Sequence, residues 1–269
     1  LSWGGLIIRL FETNDIWQIL LIRSLFFIIA LTAFLFLTYK KNTIKVVKNS
    51  GFPAIIAGLF LSLSFVAYVV AMSKTTVANV VFIISTQTIF LALFGFLFLK
   101  EKITLKGLIA ITLAFVGMLV MVGDSINQGT LFGNIVAFAI PINFTILVMI
   151  IRKFPDLDMV PAIFYSGIFS GIYGLVLASN LTFSSNDILM GFLLGVPQLA
   201  FGFICVTIGT KTTKAVTVGL LMLLETIFAP IWVWIFLNEV PPISVFTGGA
   251  IIISAVILKS LDKSLKISD

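Results

Sequence analysis

The chain has 269 residues, 60% of them hydrophobic and 10% charged, with a mean hydropathy of +1.20 and a formal charge of +6. A soluble domain carries about a quarter charged residues, so this composition excludes a water-facing globule. With no histidine and one cysteine, it also excludes an intrachain disulfide and a His/Cys zinc site, and no cofactor is expected.

A hydrocarbon core about 30 Å thick needs roughly 20 apolar residues per helix. In chain order, spans are predicted at 1–10, 16–37, 52–72, 77–99, 105–122, 131–151, 159–179, 188–209, 215–237 and 243–260. The first is expected to be truncated, because the chain opens in mid-helix. The breaks carry turn chemistry: "TNDI", "KKNTIKVVKNSG", "GDSINQG", "RKFPDLD", "SNLTFSSND" and "NEVPP". The ten-residue alternation of a membrane β-barrel is missing. Fourteen Lys and Arg fall on one set of alternate loops and the C-terminal tail, against Arg9 and Lys74 on the other. By the positive-inside rule the lysine-rich loops and the tail are cytoplasmic. The net positive charge therefore reads as topology, with the bilayer as partner and no nucleic acid.

The halves repeat. "QTIFLALFGFLFLKE" (87–101) matches "ETIFAPIWVWIFLNE" (225–239) at six of fifteen positions without a gap. "IIRLFETND" (7–15) matches "IIRKFPDLD" (150–158) in the same order along the chain. The repeats are set at 1–122 and 131–260, with a cytoplasmic tail at 261–269. Each holds five spans, an odd number, so the second copy must lie inverted in the membrane, an arrangement found in transporters.

An Arg early in the second span, "FLKEKIT" closing the fourth, and "ETIFAPIWVWIFLNE" in the ninth resemble the drug/metabolite transporter superfamily, EamA type. The resemblance implies an all-α polytopic membrane protein of ten helices as two inverted fives around a central cavity, working by alternating access. It implies a small polar or amphipathic solute, an amino acid or related metabolite, with export as the expected direction across the cytoplasmic membrane. Uptake of a nucleoside-, amine- or S-adenosylmethionine-like solute, facilitated or proton-coupled, and lipid flipping on the same fold stay open.

Charges inside a bilayer are costly and usually have a task. Two are expected here. Arg23 lies about 12 Å in from one face and Glu225 about 16 Å from the other, at 1.5 Å per residue, so both sit near the midplane. They are expected either to pair or to bind opposite ends of a zwitterion. Glu225 is the one acid within a span, so protons are an open partner. Gln87, the repeat counterpart of Glu225, is the next candidate, followed by Asn143, Tyr68, Gln198 and Tyr165, with Trp3 as an aromatic wall. Pro141, Pro197 and Pro230 interrupt spans and are expected to kink them. Gly167/Gly171 and Gly191/Gly195 fit GxxxG, read as close packing within the bundle, with a homodimer left open. Trp17, Trp232 and Trp234 read as interface anchors, and Cys205 as an inert buried residue. An intramembrane enzyme would need paired carboxylates, a His-based metal motif or a phosphate loop; none is in the sequence.

Overall fold

The computed structural model describes residues 1–75, 77–101, 103–122, 131–237 and 243–260. The tail 261–269, Asp124 and Glu239 lie outside the described residues. The elements in order are α1 (Gly4–Ile8), α2 (Ile16–Tyr39), α3 (Thr43–Lys74), α4 (Val77–Ser85), α5 (Gln87–Leu99), α6 (Leu105–Val122), α7 (Leu131–Lys153), α8 (Val160–Leu177), α9 (Ser185–Leu193), α10 (Phe201–Thr210), α11 (Ala215–Leu237) and α12 (Ile243–Ser260). The runs Ile16–Lys74, Leu131–Lys153, Val160–Leu177, Ser185–Thr210 and Ala215–Phe236 are long and apolar enough to cross a membrane, and shorter apolar helices lie between them. Large apolar side chains face outward, as on Ile29, Phe36, Phe98 and Ile257. That surface is compatible with lipid and not with water.

Three departures from the expected spans have local causes. The "TIKVVKNS" stretch, expected as loop, is helical and joins the third span as one element, α3. Thr43 begins it, its hydroxyl donating to the Lys40 carbonyl at 2.8 Å. The break comes at Gly51, whose φ of 59° and ψ of −158° suit glycine alone, two residues before Pro53. The fourth span is divided at Thr86, where the backbone tightens to an i→i−3 bond (Thr86 N–H to the Ile83 carbonyl, 3.1 Å) and Gln87 starts the second piece. Around Pro197 the eighth span widens into a π-helical stretch, Leu194–Ala200. Proline has no N–H to give, and the wider turn adapts to the missing bond.

The helix α2 packs against α3, α8, α9 and the π-helical stretch. It runs antiparallel to α8, and each end of the pair is fastened by an aspartate. Asp15 caps α2 by accepting from Trp17 N–H (2.9 Å) and reaches across to Ser179, just past α8, accepting from its N–H at 2.8 Å and its hydroxyl at 2.7 Å. At the opposite end Asp158, one residue before the N-cap Met159, accepts from the first N–H of α8, that of Val160, at 3.0 Å and bonds the hydroxyl of Tyr39, the last residue of α2. Asp15 and Asp158 are the aligned aspartates of "IIRLFETND" and "IIRKFPDLD". One fastening device is thus used twice, in opposite directions.

Both GxxxG motifs face α2. A Cβ added at Gly167 would meet Phe27 and Ile28, at Gly191 it would meet Ile22, and at Gly195 it would lie 2.5 Å from the Arg23 carbonyl oxygen. Close backbone approach here needs residues without side chains. Similar pairing joins α5 to α11, where Thr88 donates to the Gly219 carbonyl at 3.0 Å. It also joins α6 to α12, where a Cβ on Gly117 would lie 2.7 Å from the Gly248 carbonyl oxygen. The largest buried cluster spreads around Phe27, Leu61, Phe65, Leu147, Ile163 and Phe203.

Burial acts to raise the Asp15 pKa, but the hydrogen bonds from Ser179 and Trp17 outweigh it and hold the carboxyl below its ordinary value. The folded carboxylate then contributes stability that is present above about pH 3.9, the unfolded value, and is lost as pH falls through the lower folded value. We expect thermal melts in detergent to show an acid-side loss of stability that shrinks in Asp15→Asn. The same acid sensitivity in both proteins would contradict this role.

Candidate functional site

Of the eight residues singled out in the sequence, five line one central cavity: Arg23, Tyr68, Gln87, Gln198 and Glu225. It holds about 660 Å³ of space free of atoms, counted with its open mouth. Its walls come from Leu1 and the start of α1, from α2, α3, the junction of α4 and α5, α7, the π-helical stretch, α10 and α11. Among the described residues, α6, α8, α9 and α12 contribute none.

Arg23 is 2% exposed. Its Nη2 donates to the Phe65 carbonyl at 3.1 Å, and the guanidinium carbon lies 5.2 Å from the Phe65 ring centroid. Its Nε is buried without a hydrogen-bond partner. The two Phe65 contacts are worth about 1.5–3 kcal/mol for a bond to a charged group and about 2 kcal/mol for a desolvated cation–π pair. Together, at about 3.5–5 kcal/mol, they match or exceed the cost of a charge inside a bilayer, about 2.5–3.5 kcal/mol on insertion scales, and the Nε donor is left over.

Glu225 is half-buried and borders the same cavity. Arg23 gives its hydrogen bond to Phe65 rather than to Glu225, so the direct pair considered from the sequence is not formed. Tyr68 lies within electrostatic reach of both charges. Gln87 is buried at the start of α5. Gln198 Nε2 donates to the Leu1 carbonyl at 2.7 Å, and Gly4 leaves it room, since a Cβ there would sit 2.7 Å from that nitrogen.

The other three candidates stand outside the cavity wall. Asn143 is buried on α7, one residue before Phe144, which does line the cavity. Tyr165 packs on the Phe164 ring and against Gly58 of α3. Trp3 lies 6.5 Å from Trp232, centroid to centroid. Trp232 also turns inward, its Nε1 donating to the Ser2 hydroxyl at 2.9 Å, rather than serving only as an interface anchor. Cys205, expected to be buried, is exposed on the outside of α10.

The aromatic and apolar walls were not singled out in the sequence. Leu61, Ser64, Phe65 and Tyr68 fall on one face of α3 at i, i+3, i+4 and i+7. Extending helical spacing back from Tyr68 finds them. Leu194, Gln198, Leu199 and Phe203 share the cavity because the π-helical stretch shifts the register, and an ordinary helical wheel misses that.

The site combines apolar and aromatic walls, two amides, and opposite charges not paired with each other. The model of the EamA-like transporter family matches residues 2–123 and 129–261. A protein of Methanothermobacter thermautotrophicus described as an uncharacterized transporter is 27% identical over 71% of this chain, and the match spans 59% of that protein's length. Another protein so described, from Clostridium kluyveri, is 25% identical over 93% of this chain and 85% of its own. A solved crystal structure superposes with a TM-score of 0.80 at 14% identity, covering 95% of this chain and 91% of that one. At that identity the likeness concerns the fold alone.

Gly195 offers a test of how Arg23 is positioned. Gly195→Ala places a methyl against the Arg23 carbonyl and Phe26. It should push α2 away, destabilise the protein by about 1–3 kcal/mol and impair solute binding. A variant with the melting temperature and binding of the parent would contradict the close fit.

Proposed function

Since the chain belongs to the EamA-like transporter family, we propose that it exports a small zwitterionic or amphipathic metabolite, an amino acid or a relative of one, across the cytoplasmic membrane by alternating access. The observation that carries this reading is the shared cavity of Arg23 and Glu225. The unpartnered Nε of Arg23 suits a carboxylate or another anionic group, since a buried donor without an acceptor is costly. Glu225 suits an ammonium at the other pole. Phe65, Phe144 and Phe203 offer apolar contact to the rest of the solute.

Alternating access requires two related halves, here 1–122 and 131–260, the second inverted. Several observations support that division. Asp15 and Asp158 fasten antiparallel helices in reciprocal fashion. The counterpart pairs α2 with α8, α5 with α11 and α6 with α12 all pack together, as elements do around a two-fold axis. The family model also matches two successive stretches. With the lysine-rich face cytoplasmic, the C-terminus is cytoplasmic.

Proton coupling is the second reading, favoured by the half-buried carboxyl of Glu225 on the cavity wall. Flux assays in proteoliposomes with amino acids, amines and nucleosides, run with and without a pH gradient, test both readings. We expect transport of at least one zwitterion. Glu225→Gln and Arg23→Lys should each reduce it about tenfold or more, because the charge in one case and the planar fork in the other are lost. Full transport in both variants, with the parent's pH response, would overturn the assignment. A response to the gradient that persists in Glu225→Gln would remove proton coupling through this residue alone.

A further inference from the structure

One buried charged cluster lies apart from the cavity. Glu101 follows α5, where Lys100 takes a left-handed conformation (φ 54°) and the Glu101 N–H turns back to the Gly95 carbonyl at 3.1 Å. This turn folds the carboxylate under the helix end. Glu101 Oε1 meets Arg152 Nη1 at 2.5 Å, and Oε2 accepts from the N–H of Ala215, the first residue of α11, at 3.2 Å. Arg152 Nη1 also donates to the Thr213 carbonyl at 2.7 Å. Both side chains are shielded, Glu101 at 10% and Arg152 at 6% exposure. One carboxylate and one guanidinium therefore fasten the ends of α5, α7 and α11 together.

These are the helices that carry Gln87, Phe144 and Glu225 to the cavity. Ala215 lies about 15 Å along α11 from Glu225, at 1.5 Å per residue. Leu91, Leu147, Val148 and Ile151, all fully buried, lie along the same stretch of α5 and α7. The cluster thus closes the lysine-rich end of the bundle beyond an apolar plug. If the cavity is to open to that face, the ends of α5 and α11 must part from α7 and the ion pair must separate. A buried pair strongly resists loss of one partner, because the other charge is left uncompensated. Separation is tolerable only when water enters and hydrates both charges, which is what opening to that face brings.

We infer that Glu101 and Arg152 form a latch that favours the state closed toward the lysine-rich face. The latch rests on the alternating-access reading above, and Glu101 and Arg152 act in it as positioning residues.

The test uses Ser64→Cys, a cavity position, as reporter in a Cys205→Ser background. It is labelled with a membrane-impermeant maleimide from either face in oriented vesicles. Glu101→Gln keeps an acceptor for the Ala215 N–H and removes only the charge. We expect labelling from the lysine-rich face to rise about tenfold, a typical coupling between two states, and labelling from the opposite face to fall. Arg152→Gln should act likewise, and the swap of Glu101→Arg with Arg152→Glu should bring both rates back toward the parent's. A bundle that was merely loosened would label faster from both faces, so that result overturns the latch. Labelling from both faces with no shift in Glu101→Gln overturns the latch and leaves alternating access standing. Labelling from a single face in the parent and every variant overturns both.

Discussion

A buried guanidinium is expensive, and the surroundings of Arg23 show what it takes to keep one inside a helical bundle. The Phe65 carbonyl and ring supply a hydrogen bond and a cation–π contact. The carbonyl belongs to α3, so α3 has to lie close to α2. The two GxxxG motifs bring α8 and the π-helical stretch against α2 on other sides. Phe65 packs edge-on against both Phe27 and Phe203, tying α2 and α10 to the same wall. These contacts exclude water from Arg23 everywhere except toward the cavity. A charge held this way keeps one donor, Nε, without a partner in the fold, and the proposed solute would supply it.

The construction is nearly symmetric, and its asymmetry falls at the chemistry. The aspartate fastenings, the packing of counterpart helices and the threonines after Gln87 and Glu225 occur twice. The charges do not. Glu225 has an amide, Gln87, at its counterpart position, and Arg23 has a serine, Ser166, near its counterpart position on α8. Two fully symmetric poles would place like charges across a small cavity and repel. One cation and one anion, backed by neutral polar groups, give a site with two different ends. In the proposed cycle the shared frame would let the two halves exchange shapes, and the unequal residues would receive an asymmetric solute.

Much of this was legible in the sequence because membrane helices must satisfy their own backbone, which makes apolar length a direct sign of structure. Helix positions followed from that constraint, and Arg23 and Glu225 stood out because charge is rare at that depth. Less legible were features set by contact between distant segments. Nothing local said that Arg23 would choose the Phe65 carbonyl over Glu225, or that Tyr165 and Trp3 would turn from the cavity to pack against Gly58 and Trp232. The π-helical register at Pro197 moved Phe203 onto the wall and is invisible to a 3.6-residue period. The helical character of residues 43–50 was hidden by lysines that look like loop, although Ile44, Val46 and Val47 among them keep a partly apolar face.

The central claim is that one solute spans both charges, its anionic group at Arg23 and its cationic group at Glu225. The most direct measurement is competition during counterflow in proteoliposomes by three forms of a transported amino acid: the free zwitterion, its methyl ester and its N-acetyl derivative. The account predicts that the zwitterion competes and that blocking either charged end removes competition. It also predicts that the ester suffers less further loss than the N-acetyl form when Arg23 is replaced by glutamine. Equal competition by all three forms would contradict it.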